Sequence, residues 1–396
     1  MIQREALPED QRRFHDAVKA IRRNPISGPF IVLLNGSPAL AARFAQLGHY
    51  FHARGQEDES ILPLRVRGFM ALLGARALDG VYEWAAWVNW TLEAGVPQAT
   101  VDAIREGRTL SDLSPDETLT LEVFTALATG AQRLSDRTFK AALDRFGVQG
   151  LVELVVTLGY FAMIAMPLNA FEIEMTAAQM AKRRPFQPLA VIERPAEPSG
   201  GEFVPAVPGK GRGAPRVPKI ATHEDLPPGH QHFFDRVIRT RGRVSGSFEV
   251  LLHSPDMAER IAAIGEVVLY ETALPPGEKA LAWLVTAGEC RCDYEWAAAV
   301  SAARRAGLAD AAIEAIRRRQ PLSGVSDAQK LVADFCHQLL RGHHRVSDRT
   351  YDALIGHLGV PATVHLAATV GYFVMQAFTL NAFEIAPEGD PAELVL

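Results

Sequence analysis

The sequence predicts an all-α protein in which one helical domain of about 175 residues occurs twice. Three observations predict it. Apolar residues recur at helical spacing, capping residues bracket those runs, and four motifs return at a constant offset of 212 residues.

Taken in chain order, Val66, Phe69, Met70, Leu73 and Leu78 form one apolar helix face. A second helix carries Tyr82-Glu83-Trp84-Ala85-Ala86 and ends where Gly95 supplies a C-terminal cap, as Gly307 does for the matching segment. Leu119, Val123, Phe124 and Leu127 mark a third helix at i, i+4, i+8 spacing. Ser135-Asp136 reads as an N-cap leading into Phe139 and Leu143. The last helix contains Leu154 to Phe171, 18 residues without a charge, and Leu366 to Phe383 is similar. That length is the lower limit for a membrane span. Gly, Asn, Pro167 and Gln376 within these runs favour buried core helices, so no membrane is expected as a partner. Strands have little support.

The repeat is explicit. Tyr294-Glu295-Trp296-Ala297-Ala298 repeats Tyr82 to Ala86, and Ser347-Asp348-Arg349-Thr350 repeats Ser135 to Thr138. Gly371-Tyr372-Phe373 repeats Gly159 to Phe161, and Asn381 to Ile385 repeats Asn169 to Ile173. Nearer the N-terminus Ser37-Pro38 pairs with Ser254-Pro255 and Ser27-Gly28 with Ser245-Gly246, so the first copy carries a five-residue insertion within His52 to Ser60. The expected organisation is a first domain over 1–176, a Pro/Gly-rich linker over 177–221 and a second domain over 222–396. Two fused copies imply an ancestor that paired with itself, hence an intramolecular pseudo-dimer. Lys182-Arg183-Arg184 in the linker reads as a solvated helix end.

Composition excludes several classes. About half the residues are apolar, 22% are charged and the net charge is −5, so there is no basic footprint for nucleic acid. Three cysteines, two of them a residue apart, are no disulfide framework; with no basic-then-apolar N-terminal signal they suggest a cytoplasmic protein. No His/Cys/Asp set has metal-ligand spacing, and the glycine-lysine run at 209–213 has no flanking strand, so neither metal nor nucleotide cofactor is implied.

Leu-Pro before a helix, Tyr-Glu-Trp-Ala-Ala, a Gly twelve residues after the Glu, and the closing Gly-Tyr-Phe and Leu-Asn-Ala-Phe-Glu together resemble the carboxymuconolactone decarboxylase family, related to alkylhydroperoxidase D-like proteins. The Ser-Pro stretches at Ser37-Pro38 and Ser254-Pro255 fit it too. The resemblance covers both copies and implies an all-helical, cofactor-independent protein that forms rings of dimers. A duplicated chain is then expected as a homotrimer, acting on a small-molecule substrate.

The family's chemical residues are altered here. Its Arg-Glu-Leu signature falls on Arg67-Gly68-Phe69 and Lys279-Ala280-Leu281, without the carboxylate. The imidazole of its Glu-Trp-x-x-His signature falls on Trp87 and Ala299. The Cys-x-x-Cys of its peroxidase relatives falls on Gly80 and Glu83, then Cys292 and Glu295, so a thiol peroxidase is not expected. What remains is Glu83 and Glu295, each in an apolar helix beside a Trp. Desolvation would suit such carboxyls to acid–base work near neutral pH; a buried structural glutamate is the other reading. His253 and Cys292 complete the candidate catalytic set, with Tyr82, Trp84, Trp87, Tyr160, Tyr294, Trp296 and Tyr372 as candidate pocket residues. Two functions follow. One is a cofactor-free lyase, isomerase or hydrolase acting on a small acidic or lactone-like molecule, with its better site in the second copy. The other is a catalytically degenerate relative kept for ligand binding or assembly.

Overall fold

The structure, a computed structural model, describes residues 3–22, 26–53, 59–175, 187–192 and 216–387. Most of the expected linker, including Lys182-Arg183-Arg184 and the run at 209–213, lies outside the described residues, as does much of the expected insertion. All regular structure among the described residues is helical. The first half contains α1 (Glu9–Arg22), α2 (Pro29–Gly36), α3 (Pro38–His52), α4 (Leu64–Ala77), α5 (Val81–Glu93), α6 (Gln98–Glu106), α7 (Pro115–Phe124) and α8 (Asp136–Ala170). The second contains α9 (Gln231–Arg241), α10 (Phe248–Leu251), α11 (Pro255–Tyr270), α12 (Pro276–Glu289), α13 (Asp293–Arg305), α14 (Asp310–Arg317), α15 (Asp327–Leu340) and α16 (Asp348–Phe383).

Local chemistry sets these boundaries. Ser135 and Ser347 accept hydrogen bonds from Thr138 N and Thr350 N, satisfying orphan donors at the starts of α8 and α16. Gly95 (φ +92°) and Gly307 (φ +82°) follow the last residues of α5 and α13, where only a residue without Cβ turns the chain cheaply. The apolar pattern through Leu127 extends past α7 as one π-helical turn, Thr125–Thr129. Both long helices are kinked, α8 at Gly147 (φ +69°) and α16 at Gly359 (φ +75°). Pro361 is tolerated because it falls where the helix restarts after the kink.

The apolar halves of α8 and α16 pack along each other at the centre. A Cβ at Gly159 would lie 2.6 Å from Met375 Cγ, and one at Gly371 would lie 2.7 Å from Met163 Cα, so each glycine lets the opposite backbone approach. Helix α2 crosses over to α16, where Gly36 meets Val364. One contiguous buried cluster runs through both halves. The two long helices are apolar enough to cross a bilayer, but 100% and 78% of their apolar windows are buried, so that apolarity is used by the core.

Candidate functional site

The two glutamates sit at equivalent places, in the first turns of α5 and α13, after tight turns at Asp79 (φ +50°) and Arg291 (φ +46°). Asn169 Nδ2 holds the first turn through Leu78 O, and Asn381 Nδ2 holds the second through Cys290 O, both at 2.8 Å. The environments then diverge.

Glu295 is buried, and Trp283 Nε1 of α12 donates to its Oε2. Burial raises its pKa, while the Trp283 hydrogen bond and the Arg241 charge oppose the rise; the result is about 7. Arg241, at the end of α9, lies over the Phe248 ring at 4.2 Å and donates through Nη2 to Tyr372 Oη at 2.7 Å. Gln376 Nε2 donates to the same oxygen at 2.9 Å. The Nε and Nη1 groups of Arg241 are buried without a partner among the described residues. Trp283 is fixed from the other side by parallel stacking on Phe373, centroids 4.5 Å apart.

Glu83 has no such support. Among the described residues neither carboxyl oxygen has a hydrogen-bond partner, and burial alone pushes its pKa well up. Around it, Trp87 is packed between His52, Trp90 and Phe161, and Tyr160 stacks on Phe51. At Gly68, where the resemblance puts a family carboxylate, a Cβ would lie 2.6 Å from Thr91 Oγ1. No larger side chain fits there without movement.

The other candidate residues separate into groups. Tyr372 joins Glu295, and Cys292 caps the same helix, its thiol buried and its pKa raised by desolvation first and then by Glu295. Cys290, Cys292 and Cys336 are all free, buried thiols. Tyr82 closes on Gly28 with its hydroxyl 3.1 Å from Ser27 Oγ. Tyr294 closes on Gly246 beside Ser245, with its pKa raised by burial to about 12. Trp84 Nε1 donates to Gln187 O at 2.9 Å, and Trp296 packs on Gly288. These four are packed against neighbouring backbone and side chains. His253 does not meet Glu295: it lines a different cleft, with Nε2 2.7 Å from Pro218 O. The expectation that His253 shapes the Glu295 site is corrected accordingly. It stands just before α11, and that helix start faces the 218–230 segment.

Three contributors were missed from sequence: Arg241, Trp283 and Gln376. Their signal is weak because they are not repeated at the offset of 212; Ala71 and Ile164 stand opposite Trp283 and Gln376. Arg22 lies over the Phe30 ring at 5.0 Å, a contact similar to that of Arg241 over Phe248.

Comparison with known families gives one match: residues 255–333 fit the model of the carboxymuconolactone decarboxylase family. The matched segment includes Trp283, Cys292 and Glu295, whereas Arg241, Tyr372 and Gln376 lie outside it. Searches of curated proteins and of solved structures found no match.

Proposed function

We propose, from the match of residues 255–333 to the carboxymuconolactone decarboxylase family model, that the second half of this chain is a cofactor-independent acid–base enzyme acting on a small acidic or lactone-like molecule. The observation that carries the reading is the Glu295 carboxyl. It is buried, oriented by Trp283, and has a pKa near 7, where it gives and takes a proton with equal ease. Arg241 supplies the complementary recognition. Its unpartnered Nε–H and Nη1–H are the donors a substrate carboxylate or lactone oxygen would use. Tyr372, fixed by Arg241 and Gln376, holds the guanidinium in place. An anion bound at Arg241 would offset the charge that lowers the Glu295 pKa, and so favour the protonated acid.

The test is turnover of carboxymuconolactone, followed by ultraviolet absorbance and carbon-dioxide release, in the wild type, Glu295→Gln and Glu83→Gln. The expected loss is about a hundredfold or more in Glu295→Gln, with Glu83→Gln close to wild type. Equal rates in wild type and Glu295→Gln would remove Glu295 from the chemistry.

The second reading, a binding or assembly protein, is supported by the first half in particular. Glu83 has no hydrogen-bond partner among the described residues, Trp87 fills the position of the family imidazole, and Thr91 fills the space beside Gly68. Absence of turnover in every form would favour it.

The duplication belongs to the same proposal. We take the halves as an intramolecular pseudo-dimer; the reciprocal Gly159–Met375 and Gly371–Met163 approaches and the shared core support it. A trimer of such chains, in a reducing cytoplasmic compartment suited to three free thiols, completes the proposal. Light scattering on the purified chain and cell fractionation test those two points.

A further inference from the structure

The buried half of α16 carries a polar row. His365, Thr369, Tyr372 and Gln376 follow one another at i, i+4, i+7 and i+11, which places them on a single face of the helix. All four are buried, with exposures of 4%, 0%, 0% and 3%. Buried polar atoms ordinarily find partners, but His365 Nδ1, Thr369 Oγ1 and Gln376 Oε1 have none among the described residues. Thr286, Thr363 and Thr379 turn their hydroxyls back to the carbonyl four residues earlier, at 2.7, 2.9 and 3.2 Å, whereas Thr369 makes no such bond. Tyr372 Oη accepts from both Arg241 and Gln376, so its own hydrogen is left to donate. Glu295 is close to this end of the row: its charge acts on Tyr372, and the Arg241 charge acts on it.

The first half lacks this arrangement. In the same register α8 carries Glu153, Thr157, Tyr160 and Ile164. There the Glu153 carboxyl accepts from Tyr50 Oη, Gln149 Nε2, Ser60 Oγ and Ile61 N, and Thr157 Oγ1 donates to Glu153 O at 2.6 Å. The unpartnered row thus belongs to the half whose glutamate is oriented by Trp283. Its atoms also define what fits them. The Thr369 and Tyr372 hydroxyls donate, Gln376 Oε1 accepts, and the His365 ring, kept neutral because burial lowers its pKa to about 4, offers one of each. An anion would leave the acceptors unmet and a cation the donors, whereas water meets both. Side chains three or four residues apart on a helix face have Cβ atoms about 5–6 Å apart. That is the span of one water making two hydrogen bonds of about 2.8 Å. The row covers about 16 Å of helix, and just before His365 the helix reaches solvent at Val360 and Pro361.

We propose that this face of α16 binds a file of water molecules through which Glu295 exchanges protons with solvent. The inference rests on the acid–base reading of Glu295. The ionised carboxyl takes a proton from the nearest water, each water takes one from the next, and solvent beyond His365 replaces the last. One proton has then moved from solvent to the carboxyl, and the reverse sequence releases it. The Arg241 cation disfavours an excess proton at the inner end, so the charge crosses as the proton deficit, a hydroxide that the guanidinium attracts. Thr369 and His365 are positioning residues that hold the waters in line. The Nε–H and Nη1–H of Arg241 stay available to a substrate.

A caged acid that releases protons in a laser flash, with the infrared carboxyl band as readout, tests this on the full chain and needs no substrate. The Glu295 signal is the one that Glu295→Gln lacks. Thr369→Val replaces the hydroxyl with a methyl of similar size. It should slow protonation of Glu295 about tenfold or more without moving its midpoint, and His365→Leu should do the same. Thr369→Ser restores the hydroxyl and should run at the wild-type rate. Wild-type rates in Thr369→Val and His365→Leu, or equal slowing in Thr369→Ser, would overturn the water file while leaving Glu295 as an acid–base group. A wild type with no Glu295 signal near neutral pH would overturn the acid–base reading and the file with it.

Discussion

Replacing Glu295 with Gln should make the protein more stable in alkaline than in acidic buffer, relative to wild type. Unfolded, Glu295 titrates near 4.5; folded, it titrates near 7. Between those values the folded protein holds a proton that the unfolded chain has released, so stability falls as pH rises through this window. A shift from 4.5 to about 7 corresponds to about 3 kcal/mol, lost progressively between pH 4.5 and pH 8. The amide of Gln has nearly the same shape, keeps an oxygen for Trp283 Nε1 and cannot ionise. The stability difference between variant and wild type should therefore climb by about 3 kcal/mol in favour of the variant across that range. Urea unfolding at pH 5, 6, 7 and 8 reads it directly. A flat difference, or one that climbs toward acid, would refute the reasoning, because it would mean that burial does not penalise the charged form.

Four further outcomes follow from the same geometry. Trp283→Phe removes the donor to Glu295 and should raise its pKa by about one unit or more, read from the pH dependence of turnover or by carboxyl spectroscopy. Glu83→Leu deletes two unpartnered buried oxygens and should be neutral or stabilising by about 1 kcal/mol in urea unfolding; a large loss would mean that Glu83 has an unseen partner. Asn381→Ala leaves Cys290 O without its donor and should cost about 1–3 kcal/mol, measured in the same way. Gly371→Ala drives a methyl into the Met163 backbone and should cost a similar amount, about 1–3 kcal/mol, with a lowered melting temperature as the readout.

The helices and their ends were legible because they rest on local chemistry. Ser135 and Ser347 cap as their spacing requires, and Gly95 and Gly307 end helices as the motif implies. The kinks at Gly147 and Gly359 were not read, since a lone glycine inside a long apolar pattern gives no sign of a positive φ. The repeat led to Glu83 and Glu295 but concealed what distinguishes them. Arg241, Trp283 and Gln376 reach Glu295 or Tyr372 from three different helices, two of them at positions with aliphatic counterparts in the first half. A search for recurring motifs cannot find residues that stand in one half alone. His253 shows the converse: it is unusual in sequence, yet tertiary packing sends it to another cleft.

Whether Glu295 is a buried carboxyl poised at neutral pH is tested most directly by a site-specific titration. Isotope-edited infrared or carbon-13 spectroscopy of the glutamates, assigned by difference against Glu295→Gln, gives the midpoint. A carboxyl titrating at about 7 that disappears in the variant is expected. A midpoint near 4.5 would contradict it, and with it the acid–base role proposed for the second half.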